Sequence, residues 1–467
     1  MTNAIPALQS VQAELGIGPG PLGEPPVPDF LRILRREIAN DILPDPSSAQ
    51  SRILLEMSLT LLDYLAQRAD RLDGVLRDRN CELAKSLGMT ADSDSLIALE
   101  DRLKQASDVE FPALLKAICS ADLSLLNAIE LGNSNDKPPS DDPAAAARRF
   151  EDHLRSQNGF RSAQVIEMRK LVGGYSKDVY LCSFDRGAGT EKLIVRCDRR
   201  DGPLETSVSD EYPAIKAAEA NGVPVASALW LHVSPDVLGS PFLVSEFVEG
   251  TSGTDFRGEV MSDDAAEVYR QLAVVMGKLH SVDVAEVGGR AELLQQPTGT
   301  LILELLDRYE AQWKRRRRAP SPTISGALEW MRRNVPAEDV RACLVHGDPT
   351  PRNLLLTNGR IQALLDWETW HLGDPAEDLA YIREEMPCAL SWQEFNQIYL
   401  ANGGVEVSDE RLHYWSHWKF LFGSISAVSM MSGIGTDRDI DLRTAFGAVY
   451  FTKYCIGRVG EQMLKNA

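Results

Sequence analysis

Gly132-Asn-Ser-Asn-Asp-Lys-Pro-Pro-Ser-Asp-Asp-Pro143 is the stretch that most limits how this chain can fold. It is polar and proline-rich, carries no apolar periodicity and cannot pack a core. The chain must therefore build one folding unit before it and another after it. The patterns on its two sides differ in kind. Over 29–131 the apolar residues recur at helical spacing, first as Phe30, Leu31, Ile33, Leu34 and Ile38, then as Ile53, Leu54, Met57, Leu61, Leu62, Tyr64 and Leu65. Further helical patterns run through 76–87, 95–105 and 111–129. The expectation is an all-α domain over 29–132, with a Gly- and Pro-rich lead-in over 1–28 and a linker over 133–144. No catalytic constellation lies in it, and a homodimer contact is one role open to it. Gly18-Pro-Gly-Pro-Leu-Gly23 formally matches GxGxxG, but its prolines and the lack of a preceding strand make it part of the lead-in.

Beyond the linker the period changes. A short helix over 145–158 precedes runs at 165–171, 179–184 and 193–197 that alternate like strands and are joined by glycine turns. A helical pattern over 209–221 follows, then two more strands at 229–233 and 242–247. From 263 onward the pattern is mostly helical, apart from short strands flanking Asp366. This order predicts an α+β arrangement, with a small β-rich lobe over 145–248 and a helical lobe over 249–467.

A length of 467 residues suits two or three domains, and 44% apolar residues can supply their cores. The net charge of −19 argues against a general nucleic-acid binder, although a local basic pocket can exist on an acidic surface. The seven cysteines are scattered without a CxxC, which points to reduced thiols and a cytoplasmic protein. No signal-peptide pattern opens the chain. The longest weakly polar stretch, 420–435, is too short and too rich in Ser and Gly to span a bilayer, so no membrane partner is expected.

The chemistry concentrates in Leu344-Val-His-Gly-Asp-Pro-Thr-Pro-Arg-Asn353 and Ile361-Gln-Ala-Leu-Leu-Asp-Trp-Glu368. Asp348 stands five residues before Asn353, and Asp366 thirteen after it. This is the spacing of a kinase-type phosphoryl-transfer site, which positions two substrates in line and neutralises charge on phosphate oxygens. Asp348 is the candidate base that receives the proton of an attacking hydroxyl. Asn353 and Asp366 are the candidate magnesium ligands, an oxygen pair that suits an ion keeping most of its water. His346 reads as a brace of the loop. Glu368 suits either a metal-bound water or an ordinary salt bridge.

The β-rich lobe offers the remaining parts. Gly173-Gly-Tyr-Ser176 lies between two predicted strands. Gly173 and Gly174 would allow close backbone approach to phosphate, and the Ser176 hydroxyl would donate to it. A plain hairpin would have the same composition. Arg196 ends the third strand, where a kinase places the cation that grips the α- and β-phosphates. Glu211, on the following helix, is its expected ion-pair partner. The backbone of Glu246, Phe247 and Val248 would form the hinge that meets an adenine ring.

Taken together, residues 160–400 resemble the aminoglycoside phosphotransferase family of small-molecule kinases, and within it the branch associated with acyl-CoA dehydrogenases. The likeness rests on the strand ending in Val-Arg196, on Glu211-Tyr212, on Gly277-Lys-Leu-His280 and on Tyr309-Glu-Ala-Gln-Trp313. It is most specific in the run from Leu364 to Ala380. The resemblance implies a bilobal protein-kinase-like fold, ATP and Mg2+, and transfer to a small-molecule hydroxyl acceptor. A hydroxyacyl-CoA or hydroxy acid is the acceptor class implied by the branch. An aminoglycoside or macrolide is the alternative, and a pseudokinase that binds nucleotide without turnover is the rival from another class. Asp374 and Asp378 would brace the loop after Asp366. The chain departs from its relatives at Pro349-Thr-Pro-Arg352, which stiffens the catalytic loop and sets a cation beside Asn353.

Two further signals have plain readings. Lys314-Arg-Arg-Arg-Arg318 fits the solvated end of a helix, where cations complement the dipole, or an anion site. His413 and His417 stand at zinc-binding i,i+4 spacing but lack a third ligand in an aromatic helix, which favours core packing.

Overall fold

The computed structural model describes Ser107 and residues 143–466, apart from 172–175, 200–201, 203, 255–264, 288–295, 318–319, 387–389 and 435–441. The expected lead-in, all-α domain and dimer contact, and the linker up to 142, lie outside these residues, as do Gly173, Gly174 and Arg318. Two compact units are distinguished. One comprises Ser140–Leu305 and Val335–Trp418, and the other includes Leu306–Asn334 and Lys419–Ala467.

In the first unit, α1 (Pro143–Ser156) leads into β1 (Gln164–Lys170), β2 (Lys177–Asp185) and β3 (Thr190–Asp198). Next come α2 (Val208–Ala220), β4 (Ala228–His232) and β5 (Phe242–Glu246). The strands form one five-stranded antiparallel sheet in the order β1-β2-β3-β5-β4. Alternation along the strands decides what each face does. Cys182, Phe184, Leu193, Val195, Cys197, Phe242 and Val244 point to one face and join Phe150 and Leu154 of α1 in a core. Phe150 meets Phe242 edge-on with ring centroids 5.9 Å apart. Each such side chain buried contributes roughly 1.5–3 kcal/mol. The other face carries Lys177, Val179, Arg196 and Asp198, paired as Lys177 with Asp198 and Val179 with Arg196.

The helix α2 begins where its chemistry dictates. Ser207 caps it and forms a capping box with Asp210. Asp198 fixes this end to β3, accepting from Ser207 Oγ at 2.6 Å and from the Val208 N–H at 2.9 Å. Its buried residues Val208, Glu211, Ala214, Ile215 and Ala218 make one inward stripe.

The same unit continues through β6 (Thr251–Ser252) and α3 (Ala265–His280). After the helices α4 (Thr298–Arg316) and α5 (Pro322–Arg333), the chain enters β7 (Cys343–Val345), β8 (Leu354–Thr357), β9 (Arg360–Leu364) and β10 (His371–Gly373). Three helices follow: α6 (Ala376–Glu385), α7 (Trp392–Ala401) and α8 (Asp409–Ser432). A β-rich part followed by a helical part is the kinase-like arrangement expected from the sequence. An isolated bridge between Val225 and Leu364 links the two parts. Beneath β10 the buried Asp374 accepts from the Ala376 N–H at 3.0 Å and from Trp415 Nε1 at 2.6 Å, and pairs with the buried Arg411 guanidinium.

In the second unit α5 packs against α9 (Leu442–Asn466). The polar residues of its apolar stretch bond their own backbone. Ser424 Oγ donates to the Phe420 carbonyl at 2.8 Å, and Ser429 Oγ to that of Ile425 at 2.9 Å. No described helix is long and apolar enough to cross a membrane. The basic run closes α4, with Lys314 on Glu310 at 2.6 Å and the Arg317 guanidinium 4.5 Å from the Trp313 ring centre.

Candidate active site

Strand pairing brings the two motif loops together. In the β7–β10 ladder, His371 lies opposite Val345 and Gly373 opposite Cys343. The first loop leaves β7 at His346; the second leaves β9 at Leu365 and returns into β10. They are tied by the Leu365 N–H donating to the Asn353 carbonyl at 2.7 Å. His346 Nε2 also contacts the Leu365 carbonyl at 3.0 Å, so His346 spans the two loops. Gly347 has φ +83°, and a Cβ there would stand 2.9 Å from the Thr369 carbonyl oxygen. Only glycine fits both the backbone and the space.

Asp348 lies next on this loop. Its carboxylate and its carbonyl both accept from Asn353 Nδ2, at 2.8 and 2.9 Å. Burial pushes the Asp348 carboxyl above its ordinary range, with Arg352 and His346 pulling the other way. Two uses of the Asn353 amide nitrogen turn its amide oxygen to the opposite side, where it can serve as a ligand. Asp366 has left-handed backbone, φ 65° and ψ 64°, which costs a non-glycine residue about 1–3 kcal/mol and is tolerated mainly at functional sites. Glu368 is half-buried, and its inaccessible Oε2 has no hydrogen-bond partner among the described residues. Burial, then Asp366 and Glu211, push its carboxyl well above the usual range.

Arg196 joins the sheet to this loop. Its Nη1 is 2.6 Å from Glu211 Oε2, and its Nη2 is 3.2 Å from Asp366 Oδ1. These contacts bring together β3, α2 and a residue 170 positions further along the chain. Burial works against the guanidinium charge, but Glu211, Asp366 and Glu368 outweigh it and raise its pKa. Burial pushes the Glu211 carboxyl up, against the pull of Arg196 and Lys177. Ser176 is buried immediately before β2. Glu246 closes β5, and its N–H is already bonded to the Ser227 carbonyl at 3.0 Å. A ligand at the hinge must therefore use other backbone groups. Phe247 is partly exposed, with the Lys192 ammonium 4.9 Å from its ring centre. Val248 follows in irregular backbone.

The structure adds residues that the motif reading did not contain. Lys177 is 3% exposed and lies 3.0 Å from Asp198 and 3.8 Å from Glu211, so two cations flank one glutamate. Trp370 Nε1 donates to the Asp210 carbonyl at 2.8 Å, tying the second loop to the start of α2. Asp378, read from the sequence as a brace of the loop after Asp366, accepts the N–H groups of His346 and Gly347 on the first loop, both at 2.8 Å, and meets His280 Nε2 at 3.1 Å. The other His280 nitrogen contacts the Tyr399 hydroxyl at 2.8 Å. Burial and the nearby Asp348 and Glu385 charges raise the Tyr381 hydroxyl well above its usual value. Lys177 reads as an ordinary strand lysine until α2 folds over it.

The oxygen set of Asn353, Asp366 and Glu368 suits a hard, small divalent ion. Among the described residues no three His, Cys, Asp or Glu side chains converge as a metal-holding group. The zinc alternative finds no support. His417 is buried, its Nδ1 contacts the His413 carbonyl at 2.9 Å, and burial lowers its pKa to about 4. His413, by contrast, is exposed.

Residues 167–414 match the model of the phosphotransferase enzyme family. The chain is 30% identical to mouse acyl-CoA dehydrogenase family member 11 over 46% of its own length and 28% of that protein. It is 26% identical to mouse acyl-CoA dehydrogenase family member 10 over 54% of its length and 23% of that protein. It thus spans well under half of the curated relatives it matches. A solved structure from Ralstonia eutropha, assigned to the aminoglycoside phosphotransferases, is 20% identical with a TM-score of 0.51, covering 68% of this chain and 98% of that one. At that identity the likeness concerns the fold.

Proposed function

This chain belongs to the phosphotransferase enzyme family, and on that premise we propose that it transfers the γ-phosphate of ATP to a hydroxyl of a small molecule. The observation that carries the reading is the convergence of Asp348, Asn353 and Asp366 with the Arg196–Glu211 pair in one site. Asp348 takes the proton of the acceptor hydroxyl as that oxygen attacks phosphorus, and its raised pKa improves it as a base. Asn353 and Asp366, with Glu368 beside them, would hold Mg2+. The ion, when bound, neutralises charge on the β- and γ-phosphate oxygens. Arg196 turns from Asp366 to the α- and β-phosphates while Glu211 keeps its guanidinium in place. Ser176 would donate to a phosphate, and the backbone of Phe247 and Val248 would meet the adenine.

For the acceptor we propose a hydroxyacyl-CoA or hydroxy acid. Support comes from relatives named as acyl-CoA dehydrogenase family members that carry the matched region within longer chains. The test is ATP consumption with magnesium across hydroxyacyl-CoAs, hydroxy acids, aminoglycosides and macrolides, with Asp348→Ala as control. Turnover on the first two classes, abolished in the variant, is the expected result. Turnover on an antibiotic class would replace the acceptor assignment. Nucleotide binding with no turnover on any class would make the protein a pseudokinase.

A further inference from the structure

The first turn of α2 carries Asp210 and Glu211, and Pro213 stands inside the helix just beyond it. Proline has no N–H, so the Ser209 carbonyl lacks the donor that the i→i−4 ladder would supply. This turn is one bond short of an ordinary helix start, yet its Glu211 holds a guanidinium at 2.6 Å. Outside groups make up the deficit. On the sheet side, Asp198 accepts from Ser207 Oγ at 2.6 Å and from the Val208 N–H at 2.9 Å. On the other side, Trp370 Nε1 donates to the Asp210 carbonyl at 2.8 Å. The indole is itself firmly mounted and only 6% exposed. The Trp370 N–H closes the short 3-10 turn over Trp367–Thr369, donating to the Trp367 carbonyl at 3.3 Å. The next residue begins β10, which pairs with β7.

We infer that Trp370 is the positioning residue for Glu211, pinning the first turn of α2 to the second loop so that Arg196 meets the nucleotide phosphates in a fixed orientation. This rests on the phosphotransferase reading of the site. Two ties join the loop and the helix. One runs through the Arg196 guanidinium, from Asp366 Oδ1 at 3.2 Å to Glu211 Oε2 at 2.6 Å. The other is the indole bond to Asp210. When Arg196 leaves Asp366 for phosphate, the first tie opens and the indole bond stays. Glu211 has no other anchor for its carboxylate. Its Oε1 is buried without a hydrogen-bond partner among the described residues, and Lys177 stands 3.8 Å from it, beyond hydrogen-bond reach. The place of that carboxylate is therefore set by its backbone, and Asp210 is the adjoining residue. A guanidinium is a planar fork, so its aim follows its anchor. Trp370 acts through Glu211 and Arg196.

The test is Trp370→Phe in the full chain, which removes the indole N–H and keeps an aromatic ring. Affinity for Mg-ATP is read by equilibrium titration, which needs no acceptor, beside the melting temperature. Loss of one buried hydrogen bond predicts a Kd raised about threefold to tenfold. The same substitution made on Arg196→Lys separates positioning from general support. A lysine ammonium is a point charge with no fork to aim. In that background Trp370→Phe should therefore change Kd by less than about twofold. A Kd within about twofold of native for the single variant overturns the inference even if Tm falls, because the indole is then only a strut. An equal rise in both backgrounds overturns it as well, since the effect does not pass through the guanidinium. A Trp370→Phe chain that does not fold has the same meaning as a strut. Native protein that fails to bind Mg-ATP refutes the phosphotransferase reading and this inference with it. Native binding with an unaffected variant removes the Trp370 role alone.

Discussion

Replacing Asp378 by Asn probes whether the catalytic loop owes its shape to a single buried carboxylate. Asp378 is fully buried and accepts from the His346 N–H at 2.8 Å on one oxygen and from the Gly347 N–H at 2.8 Å on the other. An amide of the same shape offers one oxygen and one NH2. One backbone N–H keeps its acceptor, and the other faces a donor. An unsatisfied buried N–H costs about 1–3 kcal/mol, and lost charge assistance at the surviving bond about 1 kcal/mol more. The expected destabilisation is about 3 kcal/mol. For a unit of this size that is roughly a 6–12 °C fall in Tm, at about 2–4 °C per kcal/mol. Since Gly347 immediately precedes Asp348, kcat should fall at least about tenfold as the proposed base loses its alignment. The pH dependence has a definite sign. Hydrogen bonds and His280, opposing burial, hold the Asp378 carboxyl below its ordinary value. Its stabilisation is therefore complete above the unfolded value near 4 and is lost as pH falls through the lower folded value. The variant should show a smaller acid-induced loss of Tm below about pH 4. Calorimetry and turnover on the same samples decide the matter. A Tm within about 2 °C of native together with unchanged kcat would refute the claim that Asp378 shapes the loop.

Three more outcomes follow from the site. Arg196→Lys loses the fork that spans Glu211 and Asp366, so kcat/KM for ATP should fall about tenfold or more; an unchanged value in initial-rate assays would deny Arg196 its phosphate role. Gly347→Ala meets both a positive φ and the Thr369 carbonyl, and urea unfolding should show it about 1–3 kcal/mol less stable. His417 has a folded pKa of about 4, so stability drains as pH falls from about 6.5 toward that value. His417→Phe should flatten Tm over this window, and an unaltered profile would show that burial of the imidazole is not the cause.

Much of the fold around the site was legible because its signals are local. Alternating residues over 179–184 and 193–197 correspond to β2 and β3, which extend a few residues further at both ends. Helical patterns over 145–158 and 209–221 correspond to α1 and α2 within about two residues. The strands β6 and β7 were not read, and β10 was read only as one of the short strands flanking Asp366. At two or three residues each they are too short for a period-two pattern, and their partners are distant in the chain. His413 and His417 divide, one exposed and one buried, because an i,i+4 pair can straddle the edge of a packed face.

The order Asp348, Asn353, Asp366 was determined by the sequence alone, because the roles proposed for them depend on residue type and short spacing along a loop between strands. The pairing of Arg196 with Glu211 was foreseeable from the order of strand and helix. What only the tertiary structure decided is which groups hold these residues still. Lys177 becomes a buried partner of Glu211 when α2 closes over the sheet. Trp370 reaches the Asp210 carbonyl across 160 residues of chain. Asp378 meets His346 and Gly347 because α6 runs beside that loop. A sequence records chemistry wherever a motif is contiguous. The geometry of a base or a metal ligand is set by groups distant in the chain, and packing alone brings those into contact.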